Sequence, residues 1–130
     1  MAIPFGILIA RQRAGTGAIG SVLDKHPNLQ YLGEIFHPDN IGKDKNYFTH
    51  LLDRALKEER IALPGNNKEN LETFVQSVSD PGVIPIIDIK YNSLHHLNGG
   101  WQPPHMPPWI LQHARSSGTP IIHLTRRNLV

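Results

Sequence analysis

The sequence predicts an α/β fold, a short parallel sheet flanked by helices, and three observations carry that expectation. Aliphatic runs at 5–10, 83–90 and 119–125 lack polar alternation and read as strands buried on both faces. The segments between them repeat their apolar residues at helical spacing. Strands and helices therefore alternate along the chain, the order that builds a parallel sheet.

Taken in order, residues 5–10 form the first strand, and a glycine-rich turn with two arginines, Arg11 and Arg13, follows it. A helix begins at Ala18, with Ile19, Val22 and Leu23 on one stripe, and Pro27 stops it. Residues 28–33 make a second short strand, which puts Glu34 at its carboxyl end, where open α/β sheets bind ligands. Residues 37–42 are a loop. The clearest helix spans 46–60, with Phe48, Leu51, Leu52, Ala55 and Leu56 as its stripe and Lys57 and Arg60 matching its dipole in the last turn.

Residues 64–67 break that helix, and Asn67 caps another whose stripe is Leu71, Phe74, Val75 and Val78, ended by Asp80-Pro81-Gly82. The strand at 83–90 follows, weakened at its start by Pro85. A short helix is expected at 91–97. The prolines of 99–108 forbid a helix or a central strand there. Pro108 opens a helix that runs to about Ser116, with Gly118 just past its end. The third buried strand, 119–125, delivers Arg126 at its carboxyl end.

A length of 130 residues has room for one domain. The net charge of +2 and a pI of 9.1 suit a polyanionic small molecule; no run of basic residues suggests nucleic acid. With no cysteine there are no disulfides and no thiolate metal sites. The eight histidines include His95, His96, His105 and His113, in no recognised metal spacing, so no metal is expected. No apolar stretch approaches the roughly 20 residues of a membrane span, and no signal peptide is visible at 1–10. The expected setting is soluble and cytoplasmic.

A helix entered from a Gly-rich loop offers unpaired backbone N–H groups and the positive end of its dipole. With Arg11, Arg13 and Thr16 beside it, the loop at 11–17 is expected to hold a phosphate or sulfate; the plain alternative is a tight turn with solvated arginines. Gly15, Gly17 and Gly20 spell the G-x-G-x-x-G of a dinucleotide fold, with Glu34 as the ribose carboxylate. Arg11 to Ala14, however, separate the strand from the first glycine. The Walker A pattern lacks its Gly-Lys-Ser/Thr.

Arg13-Ala14-Gly15-Thr16-Gly17, then an apolar helix and Asp24-Lys25-His26-Pro27, resembles the phosphosulfate-binding loop of sulfotransferases. Gly33-Glu34-Ile35-Phe36 is similar to the Gly-Glu-x-Phe element of bacterial and glycolipid members. The stretch from Pro120 to Asn128, with Arg126 and Arg127, is similar to the strand and loop that grip the donor's 3′-phosphate. The resemblance implies a P-loop-like three-layer fold, apparently truncated, because the chain matches only the donor-binding half of such a domain. A sheet cut short would leave apolar surface uncovered, so self-association is expected.

What the resemblance implies chemically is sulfuryl transfer from 3′-phosphoadenosine 5′-phosphosulfate (PAPS) to a hydroxyl acceptor, on a glycan or glycolipid, without a metal. Arg13, Ala14, Gly15, Thr16 and Gly17 would bind the 5′-phosphosulfate, with Arg13 stabilising charge on the leaving oxygen. Arg126 would take the 3′-phosphate, and Glu34 would be the general base. Ala14 and Gly17 replace hydroxyl residues of the family's loop, removing two donors. The histidine that other members carry two residues after a strand-end lysine is missing after Lys90, which favours Glu34. Lys90 either approaches the ligand or is a surface lysine. Trp101 and Trp109 either stack on a sugar or anchor the proline-rich loop. The other readings are a dinucleotide-binding protein and a catalytically incomplete nucleotide-binding fragment.

Overall fold

The computed structural model describes residues 4–58, 66–98 and 102–126. Its elements are β1 (Gly6–Ala10), α1 (Thr16–Asp24), β2 (Leu29–Gly33), α2 (Tyr47–Glu58), α3 (Asn67–Val78), β3 (Ile84–Lys90), α4 (Trp109–Ser117) and β4 (Ile121–His123). A 3-10 helix at Tyr91–Leu97 fills the place expected for a short helix. The four strands form one all-parallel sheet in the order β2-β3-β1-β4.

Side chains alternate across a strand, so the sheet sorts its residues into two layers. Ile7, Ile9, Ile87 and Ile89 join Leu71, Phe74 and Val75 of α3 and Ile110 and Ala114 of α4 in one apolar core. Phe36 and Tyr47 close that core, with ring centroids 5.1 Å apart, and Tyr47 meets Phe74 edge-on. The alternate residues Leu8, Ile86, Asp88 and Lys90 belong to the other face, which α1 covers.

On that second face the close contact is a glycine. A Cβ at Gly20 would overlap the ring of Tyr31 on β2, so only glycine lets α1 settle onto the sheet. Val22, expected on the buried stripe of α1, is instead 63% exposed. The helix begins at Thr16, two residues before the sequence placed it.

Three further expectations are corrected. The strand at 119–125 is not buried: β4 spans three residues, all exposed, because it lies at the sheet edge and pairs with β1 alone. On α2, Leu52 and Leu56 are 55% and 71% exposed; entry of Tyr47 into the core turns the helix so that Phe48 and Leu51 face inward. Asn67 is not a cap but the first residue of α3, and its side chain donates to the Leu97 carbonyl. Arg60, Trp101 and Arg127 lie outside the described residues.

Pro85 sits inside β3, between two neighbours, without interrupting the ladder. Ile84 donates toward β2, to the Asn28 carbonyl at 2.8 Å, so the next residue faces β1. Pairing with β1 starts only at Ile86, so the missing N–H breaks no bond. At the far end Pro108 and Gly118 bracket α4 as the sequence predicts, with Gly118 at φ 69°.

Candidate functional site

All four strands being parallel, their carboxyl ends share one edge of the sheet. The residues that follow them stand in strand order: Glu34 after β2, Lys90 ending β3, the loop at 11–15 after β1, and Arg126 after β4. Adjacent strands are about 4.8 Å apart, so the row spans the width of a small nucleotide. β1 leads away to β2, past β3, while β4 lies on its other side. The crevice between the ends of β1 and β4 is the kind of position where open α/β sheets take ligands.

That crevice is a cleft of about 340 Å³ lined by Arg11, Gln12, Arg13, Ala14 and Arg126. Its size falls at the lower end of small-molecule sites. Arg13 and Arg126, separated by most of the chain, therefore front one space. Arg11, Arg13 and Arg126 are all exposed, so each guanidinium can reach a ligand without leaving a buried partner.

The loop turns tightly before it enters α1. Arg13 has φ 58° and Gly15 φ 93°, both left-handed. The left-handed conformation costs a non-glycine residue about 1–2 kcal/mol, and Lys45 at φ 59° shares it. Gly15 is the N-cap of α1, with no side-chain cap on the first-turn amides, and Ile19 makes the first helical bond to its carbonyl. Gly17 lies exposed in that first turn.

On the other side of the loop lies a buried charge cluster. Lys90 is 4% exposed and Asp88 is 1% exposed. The Lys90 Nζ donates to Thr16 Oγ1 at 2.6 Å and to Asp88 Oδ1 at 2.7 Å, and stands 3.1 Å from Glu34 Oε1. The second Asp88 oxygen accepts from the Tyr31 hydroxyl. Burial, with the Asp88 carboxylate beside it, pushes the Tyr31 phenol far above its ordinary 10.0, so it remains a donor.

Lys90 is thus neither a surface lysine nor an exposed ligand group. The Thr16 hydroxyl, which the sequence aims at the anion, accepts from Lys90 and is itself buried. Glu34 keeps 38% of its side chain exposed, beside the ammonium and open to solvent. Asp88 and Tyr31 were missed by sequence reasoning. The signal was there for Asp88: a carboxylate inside an aliphatic strand, two residues before a lysine, must share its face.

The remaining candidates separate from this edge. Trp109 is half-buried against the core and stacks on His113, 4.9 Å between centroids and 5° from parallel, an anchoring role. No group of three or more histidine, aspartate or glutamate side chains arranged for a metal occurs among the described residues. No helix among them is long and apolar enough to cross a membrane.

Comparison with known proteins gave no match: no family model fits the chain, and neither a curated protein nor a solved structure is significantly similar to it.

Proposed function

We propose that this chain binds the nucleotide donor of a sulfuryl transfer, with the loop after β1 seating the 5′-phosphosulfate of PAPS and Arg126 the 3′-phosphate. The observation that carries the reading is the shared cleft of Arg13 and Arg126 at the N-terminus of α1. Two anionic groups on one nucleotide need cations within reach of each, and Arg13 and Arg126, lining one cleft, would supply them.

In the transfer, the acceptor hydroxyl oxygen bonds to sulfur as the bridging S–O bond breaks, and adenosine 3′,5′-bisphosphate leaves. Arg13 and the amides of Gly15 to Gly17 would meet the charge that grows on the departing phosphate. Glu34, partly exposed at the end of β2, would take the hydroxyl proton. The strand order counts against the dinucleotide alternative. A dinucleotide fold runs 3-2-1-4, with β2 beside β1, whereas here β3 lies between them.

Calorimetric titration of the full chain with adenosine 3′,5′-bisphosphate and with NAD tests the reading. The bisphosphate should bind and NAD should not; preference for NAD, or binding of neither, overturns it. Sulfate transfer to a panel of hydroxyl acceptors then tests the reaction. Glu34→Gln should abolish transfer while leaving bisphosphate binding intact. Binding without turnover in the unaltered chain would assign it to the incomplete nucleotide-binding class.

A further inference from the structure

The Lys90 ammonium has three N–H donors, and three oxygens surround it: Thr16 Oγ1, Asp88 Oδ1 and Glu34 Oε1. No donor is left for a ligand. The lysine therefore cannot bind an anion in the cleft without abandoning one of these partners. Its position is informative in another way. A helix-entry hydroxyl after a phosphate loop and a carboxylate on a strand are the oxygens that hold magnesium in P-loop nucleoside triphosphatases. Here an ammonium stands between them.

We propose that Lys90 is a positioning residue, an internal counter-cation filling a place built from oxygens that would suit a divalent ion. It ties the start of α1 to the end of β3 and holds Glu34 at the edge of the site. The charge arithmetic supports this. Asp88 and Glu34 bring two negative charges to one ammonium, a balance that a divalent ion would make neutral. The nitrogen–oxygen separations of 2.6, 2.7 and 3.1 Å start at the upper limit of metal–oxygen bonds, about 2.0–2.6 Å for magnesium through calcium. Closing that difference takes small side-chain movements once the lysine stem is gone. Tyr31 holds Asp88 by its other oxygen throughout. The inference does not depend on which anion the loop takes.

The test is removal of the ammonium and its replacement by a metal. Lys90→Ala should melt well below the unaltered chain, and manganese should raise its melting temperature while leaving that of the unaltered chain unmoved. Electron paramagnetic resonance should count one bound manganese ion per K90A chain, with affinity about tenfold or more above the unaltered chain. Adding Asp88→Asn should abolish both effects. A purely structural lysine would give the loss of stability without the metal response. A folded K90A chain that ignores manganese overturns the proposal. So does one that stays unfolded at saturating manganese, since the ion would then have failed to replace the ammonium. Equal uptake by the unaltered chain, or by the double variant, overturns it as well.

Discussion

β3 has two characters, one on each face of the sheet. Ile87 and Ile89 enter an apolar layer with Leu71, Phe74 and Ile110, and each buried aliphatic side chain there contributes about 1.5–3 kcal/mol. Asp88 and Lys90, one residue out of step, enter the opposite layer, which α1 covers, where Leu8 and Ile86 are buried beside an ion pair and Gly20 packs on Tyr31. A buried ion pair is close to neutral for stability once desolvation is counted, yet removing one member is costly. The apolar face holds the fold together. The polar face gives up that gain and instead fixes charges in place beside a loop and an open cleft.

The difference can be broken first at its two most buried points. Phe74→Ala and Asp88→Ala should each lower the unfolding free energy by about 3–5 kcal/mol, the first through a cavity and the second by stripping a partner from a buried ammonium. Urea melts will not tell them apart. Bisphosphate affinity of the folded chain should: unchanged in F74A, weakened in D88A. Equal affinities in the two would mean that the polar face is merely a second core.

Arg13→Ala and Arg126→Ala sharpen the contrast between buried and exposed cations. Each should weaken adenosine 3′,5′-bisphosphate binding by about 1.5–3 kcal/mol, the range of a charge-assisted contact, with stability changed by no more than about 0.5 kcal/mol. A drop in melting temperature like that of D88A would show these arginines to be structural. A somewhat smaller change belongs to Gly20→Ala, whose methyl meets a Tyr31 ring held by Asp88. About 1–3 kcal/mol should be lost, and Tyr31→Ala in the same chain should restore part of it.

The smallest effect lies on the apolar side. Burial against Trp109 lowers the pKa of His113 below its ordinary 6.5, with Lys68 adding to the shift and Glu72 opposing it. The unfolded chain therefore takes up this proton at a higher pH than the folded one. The stability that neutral His113 contributes is present above about pH 6.5 and is lost as the pH falls through the lower folded value. His113→Phe should flatten that slope in melts between neutral and mildly acidic pH. An unchanged slope assigns the titration elsewhere.

Much of the scaffold was legible because local rules and tertiary packing agree. The aliphatic runs at β1 and β3 and the Pro108–Gly118 bracket of α4 each favour one local structure, and the loop glycines mark where the chain turns through conformations other residues avoid. The stripes of α1 and α2 were misjudged because an apolar helix face is broad. Which third of it turns inward depends on one large partner, Tyr47 in α2 and the Gly20–Tyr31 contact in α1. The β4 strand looked buried because Ile121 and Ile122 are aliphatic; edge or centre is a property of the sheet, not of the residues.

The chain's own chemistry determined the parallel α/β class, the glycine-rich turn with its arginines at 11–17 and the placement of Glu34 and Arg126 after strand ends. Those follow from periodicity, glycine and charge within a few neighbouring residues. Only the folded arrangement decided that Arg13 and Arg126 share a cleft and that Lys90 is buried between Asp88, Glu34 and Thr16. Strand order sets which ends are neighbours, and strand order arises from pairings between segments dozens of residues apart. No local signal carries that information.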